Sequence, residues 1–131
     1  MRPVRSLREE ETGWALGGVV RGAVVGLLVT VLLLCLLAIV MLWVDIDDRP
    51  ARVIMDVLGG VGALVAGFVA GQRARARGLV HGAIAGLLFT LVVLIIGVLF
   101  FGANFALWPW LIRLAVGVVL GALGGIVGVN F

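Results

Sequence analysis

Two residues of opposite charge, Asp56 and Arg113, stand inside otherwise apolar tracts, each about one helical turn in from the end of its tract. A charge at the centre of a bilayer costs roughly 2.5–3.5 kcal/mol on insertion scales and far less near an interface. Two solutions are open to such residues. They can pair across two helices and neutralise each other, which is also the raw material of proton or ion coupling, or each can snorkel separately to water. His81 is the one side chain whose ordinary pKa lies near neutrality. It and Arg21 are spaced 60 residues apart and each precedes a glycine, and both read as anchors at a helix end. Arg73, Arg75 and Arg77 alternate along one short connection, where they suit anionic lipid headgroups or an acidic partner, although a topological role alone accounts for them.

Other chemistry lacks its side chains. Ser6 is the only serine, so a Ser-His-Asp arrangement within the apolar tracts is excluded. One histidine and one cysteine, His81 and Cys35, lie in different tracts, and no metal-ligand cluster is spelled. The glycines around Val61 have neither a preceding strand nor a following Lys-Ser/Thr, which rules out a phosphate-binding loop. The expectation is therefore a protein that is not an enzyme and has no cofactor. Cys35 cannot form an internal disulfide and reads as a small packing residue. The leucines before it do not make a lipobox, and its apolar tract is too long for a cleaved signal peptide.

The elements that must position these residues are set by hydropathy. Of the 131 residues, 63% are hydrophobic and 13% charged, with a mean hydropathy of +1.29, whereas soluble domains carry ~25% charged residues. The charges cluster and leave long uncharged tracts, so lipid is the expected solvent. The expected fold is an all-α membrane protein, one domain over residues 1–131. It has a polar tail over 1–14 and four transmembrane helices near 17–44, 53–71, 79–101 and 110–131. Trp14, Trp43, Trp108 and Trp110 fall at the expected interfaces. Residues 45–52, 72–78 and 102–107 are the expected loops, with Pro50 and Pro109 at helix starts.

The chain also repeats itself. Residues 20–30 return as residues 80–90 at an offset of 60, with seven of the eleven positions identical. Gly62-Ala63-Leu64 matches Gly121-Ala122-Leu123 at an offset of 59. The four helices thus read as two parallel-repeat hairpins, which a pseudo-twofold axis along the membrane normal would relate. Small residues recur every four positions in all four: Gly18, Gly22 and Gly26; Gly59, Ala63, Gly67 and Gly71; Gly78, Gly82 and Gly86; Gly117, Gly121 and Gly125. Shorter parallel rows run through Gly62, Ala66 and Ala70 and through Gly124 and Gly128. Such rows let backbones approach closely in lipid, which predicts glycine-rich helix packing.

Arginine counting orients the bundle. With the amino terminus in the cytoplasm, Arg2, Arg5, Arg8, Arg21, Arg73, Arg75 and Arg77 lie inside and only Arg49, Arg52 and Arg113 towards the outside. A multi-pass protein of the cell membrane with both termini cytoplasmic is expected, with membrane lipid as its first partner. The excess of arginine over acid is read as this topology signal and not as a nucleic-acid footprint.

Residues 72–86 (QRARARGLVHGAIAG) and 121–130 resemble the YrzE-like family of small bacterial four-helix membrane proteins. The resemblance implies the four-span layout and carries no catalytic residue. The leading expectation is a structural or accessory subunit working through helix–helix contacts, as a homo-oligomer or beside another membrane protein. The alternative is a component of a small oligomeric transporter or channel, against which stands the scarcity of polar residues within the spans.

Overall fold

The computed structural model describes residues 4–74, 77–102, 104 and 106–131, with side chains from Leu16 onward except that of Phe101. It contains four helices: α1 (Val4–Trp43), α2 (Asp48–Ala74), α3 (Gly78–Phe101) and α4 (Leu107–Asn130). Each includes a segment long and apolar enough to cross a membrane, Leu16–Trp43 in α1, Gly78–Phe100 in α3 and the whole of α2 and α4. Frequent glycine would weaken these helices in water, but within lipid a backbone must satisfy its own hydrogen bonds, and a helix does so.

The helices run further than the apolar tracts alone predict. The tail from Val4 is continuous with α1, which reaches 40 residues, about 60 Å. Asp48, Arg49, Pro50, Ala51 and Arg52 were expected in a loop but form the first turns of α2. Asp48 complements the positive end of the helix dipole, Pro50 stands where no intrahelical donor is needed, and the Ala51 N–H donates to the carbonyl of Asp47 at 3.1 Å. Gln72 and Arg73 likewise extend α2, Arg73 in the last turn where a cation is favoured. α4 begins at Leu107, so Pro109 again falls in the first turn. α3 ends where Gly102 adopts φ 61°, the left-handed conformation that suits glycine, and its N–H returns to the carbonyl of Gly97.

α1 packs antiparallel to α2, and α3 antiparallel to α4, while α2 and α4 run parallel, Gly67 meeting Gly121 and Gly71 meeting Gly125. The two hairpins therefore point the same way. α2 and α3 also touch and form the middle of the bundle, with α1 and α4 on opposite sides; among the described residues α1 and α4 make no contact. A true twofold between the hairpins would pair an α1–α4 contact with the α2–α3 one, so the symmetry that the repeat suggests is broken by a central α3.

The core lies towards the end holding the α2–α3 connection, here called the arginine-rich end. Val19, Ala70 and Ala85 form one buried cluster, with Leu88 against it, and Ala63, Ala66 and Phe89 form a second with Leu27 and Leu120. Past Thr30 no residue of α1 is buried, and before Gly117 none of α4 is. The reason is compositional. Small residues fill the half of each helix near the arginine-rich end, while the opposite, hairpin end carries leucine, isoleucine, valine and tryptophan, which hold backbones apart. Large apolar side chains such as Leu32, Leu36, Ile39, Leu42 and Trp43 point outwards along α1. An apolar surface of this extent is stable against acyl chains and not against water.

Candidate functional site

At the hairpin end, Arg113 Nη2 donates to Asp56 Oδ1 at 3.3 Å, joining α4 to α2. Parallel helices bring the two to one level because Asp56 and Arg113 are 57 residues apart, close to the spacing of 54 that separates Gly67 from Gly121 and Gly71 from Gly125. The pair lies on the bundle surface, with 59% of the Arg113 side chain and 66% of Asp56 exposed. It is not a sealed ion pair in the interior, and its attraction is softened wherever water or headgroups reach it.

The glycine rows occupy the helix contacts. A methyl added to Gly26 would stand 2.7 Å from the Gly62 carbonyl oxygen, and one added to Gly22 would run into the Ala66 carbonyl. In the second hairpin Gly82 faces Gly121 and Gly125, Gly86 faces Gly117 and Gly121, and Gly78 faces Gly125 and Val129. Gly67 and Gly71 of α2 then meet Gly121 and Gly125 from the other side, while Gly124 and Gly128 of α4 receive the backbone of Leu64, Phe68 and Gln72. Ala63 is buried at 1% exposure. Two members of the rows behave differently. Gly59 has nothing within 4 Å of an added Cβ, because its helix is in the loosely packed hairpin half. Gly18 has only ordinary contact, its nearest neighbour being Arg73 Cβ at 3.4 Å, so the stem of that arginine rests on α1.

These contacts fix the internal register. Thr30 lies on Gly62 in the first hairpin and Thr90 on Gly117 in the second. Gly26 spans Gly62 and Ala66 as Gly86 spans Gly117 and Gly121. Structurally, then, Gly62, Ala66 and Ala70 correspond to Gly117, Gly121 and Gly125, an offset of 55 and not the 59 that matching Gly62-Ala63-Leu64 to Gly121-Ala122-Leu123 suggests. The difference is one helical turn, after which a helix presents the same face. Both threonine hydroxyls donate back to their own helix, Thr30 to the Gly26 carbonyl and Thr90 to the Gly86 carbonyl, each at 2.8 Å. This contact pattern was not legible in the sequence beyond the shared threonine.

At the arginine-rich end Arg21, Arg73 and Arg77 are exposed, and Arg75 lies outside the described residues. His81 Nδ1 is 2.8 Å from the Arg77 carbonyl oxygen. A carbonyl only accepts, so Nδ1 carries the proton in this contact, and the ring bonds back to the same carbonyl that accepts from the His81 backbone N–H at 3.1 Å. Among the described residues no three His, Cys, Asp or Glu side chains converge on a metal-sized site. Cys35 is exposed on the outer face of α1.

Residues 11–128 match the family DUF3792, described as a protein of unknown function. The chain belongs to DUF3792. That match takes in all four helices apart from the first residues of α1 and the last of α4. No curated protein and no solved structure matches the sequence. For this DUF3792 chain the surface ion pair, the glycine contacts and the arginine-rich end therefore stand on their own geometry.

Proposed function

We propose that the protein is a non-enzymatic structural or accessory subunit of a bacterial cytoplasmic membrane, with both termini in the cytoplasm, and that it works by presenting lipid-facing helix surfaces to another membrane protein or to a second copy of itself. On this reading the chain is a duplicated helical hairpin whose halves associate through glycine contacts, in keeping with the YrzE-like pattern of residues 72–86 and 121–130. The observation that carries it is the interior. Thr30 is the only polar side chain buried among the described residues, and its hydroxyl is committed to Gly26. The rest of the interior is glycine, alanine, valine, leucine and Phe89. A substrate or ion crossing the bilayer needs polar groups to replace its hydration, and such a lining favours a scaffold over a pathway through one copy.

The alternative, a component of an oligomeric transporter or channel, draws on the surface position of Asp56 and Arg113, where a path between copies would find its polar groups. Purification from native membranes in mild detergent, with cross-linking to fix stoichiometry, separates the two. A defined hetero-complex of constant composition is the expected result. A pure homo-oligomer that conducts ions in liposomes, with conduction lost in Asp56→Asn, would replace the accessory reading.

A further inference from the structure

The Asp56–Arg113 pair sits at a depth that can be read from the helices themselves. Asp56 is 17 residues before Arg73 on α2, and Arg113 is 17 residues before Asn130 on α4. At ~1.5 Å per residue both stand ~25 Å from the polar residues of the arginine-rich end. The hydrocarbon core is ~30 Å thick, which puts the pair ~5 Å inside the opposite edge. Trp108 and Trp110, five and three residues earlier on α4, fall at the interface above it. An arginine at this depth reaches the phosphate level with its side chain extended.

Two features make the location more than an anchor. The guanidinium and carboxylate touch each other through Nη2 and Oδ1 alone, at 3.3 Å, and more than half of each side chain faces outwards. Acyl chains offer such groups no hydrogen bond, and leaving them so is costly. The site also sums to zero charge, so it does not favour an anionic headgroup over a zwitterionic one. A zwitterion with its charges in the opposite order would satisfy both residues together.

We propose that Asp56 and Arg113 form a binding site for the headgroup of a phospholipid carrying a primary ammonium. The lipid phosphate accepts hydrogen bonds from the Arg113 guanidinium, whose fork geometry suits phosphate oxygens. The ammonium donates to the Asp56 carboxylate. A trimethylated ammonium has no N–H to donate and so satisfies only half of the site, and a glycerol headgroup brings no cation for Asp56. The proposal needs the bilayer-spanning layout and does not depend on whether the protein is an accessory subunit.

The test counts retained lipid. The full chain is reconstituted in nanodiscs of phosphatidylethanolamine, phosphatidylcholine and phosphatidylglycerol in equal proportion, re-extracted in mild detergent, and read by native mass spectrometry. Phosphatidylethanolamine is expected in excess over phosphatidylcholine by roughly tenfold, the worth of one charge-assisted hydrogen bond. Asp56→Asn should abolish that preference while phosphate lipids are still retained, and Arg113→Gln should lose retention of all three. Asp56→Arg with Arg113→Asp, which keeps the α2–α4 pair, should restore the preference. Circular dichroism verifies that each variant remains helical. Equal retention of the three lipids by the unaltered protein, a preference for phosphatidylglycerol, or an ethanolamine preference that persists in Arg113→Gln overturns the proposal. Failure to enter nanodiscs at all would instead count against the membrane reading.

Discussion

Gly82 and Gly121 exclude a methyl from each other. A Cβ on Gly82 would run into the carbonyl oxygen of Gly121, and a Cβ on Gly121 into that of Gly82. The blocking atoms are backbone on both sides, so no side chain can rotate away. Gly82→Ala or Gly121→Ala is therefore expected to lower stability in detergent by at least the ~1–3 kcal/mol typical of overpacking. Gly59→Ala and Gly97→Ala, which have open space around them, should be neutral or stabilising by up to ~1 kcal/mol through helix propensity. Thermal melts of the four variants check this, and equal losses in both pairs would remove the packing argument.

Gly62 lies where three helices meet. A methyl there would collide with the Thr30 hydroxyl oxygen and with the Phe89 ring, whose Cζ would be 2.6 Å away. Gly62→Ala is expected to be destabilising, and Phe89→Leu to cost stability in the parent but less in the Gly62→Ala background. A double-mutant cycle by chemical or thermal unfolding should give a coupling of about 0.5–3 kcal/mol. Strict additivity would mean that the ring and the glycine do not share this space.

Thr30→Val preserves shape and removes a hydroxyl that only bonds back to Gly26 at 2.8 Å. The valine leaves that carbonyl in its helical bond, so the expected loss is below ~1 kcal/mol. Thr30→Ala also empties the space beside Gly62 of α2, where the Thr30 hydroxyl oxygen lies, and should cost more. Melting temperatures in one detergent rank the two, and the reverse order would assign the hydroxyl a role beyond its own helix.

The Asp56–Arg113 contact is exposed, so its contribution to stability should be modest. A cycle of Asp56→Asn, Arg113→Gln and the double variant is expected to yield ~0.2–1 kcal/mol at low salt, falling as salt rises. Additive losses at every ionic strength would show that the 3.3 Å contact carries no energy.

Cys35 gives a probe of the surroundings of α1. It is exposed on the helix, 14 residues or ~21 Å beyond Arg21 at ~1.5 Å per residue, in the far half of a ~30 Å hydrocarbon core. In intact cells it should resist an impermeant maleimide and react with it only once the protein is unfolded in denaturant, because a thiolate does not form in hydrocarbon and the polar reagent does not enter. With Cys35 replaced by alanine, a cysteine introduced at Arg77 should label only after the membrane is opened, and one at Asp47 in intact cells. The opposite pattern would invert the proposed orientation.

Much of the fold was legible because lipid imposes simple rules on sequence. Apolar tracts the length of a bilayer had to be helices, and four of them are present. Helix ends were less legible, since Pro50 and Pro109 mark the inside of a first turn as readily as a loop. The ion pair could be anticipated only as one of two options, because charge and approximate depth are written in the chain while the neighbour of α2 is not. The repeat misled at one point. Matching letters placed Gly62 against Gly121, whereas the contacts align it with Gly117, one turn away on the same helix face.

By itself the sequence determined the number of long apolar helices and the rows of small residues along them, but not which members of those rows are packed: Gly82 and Gly121 are, and Gly59 stands open. The tertiary structure decided which helix became central. Val25 and Val29 of α1 stand where α3, 60 residues on, has Ala85 and Phe89, and there Ala85 is buried between helices and Phe89 fills the junction at Gly62. Hydropathy cannot distinguish these substitutions, as all four residues are apolar. Only the shape of the neighbouring surfaces separates a helix with one packed face from one packed on several sides.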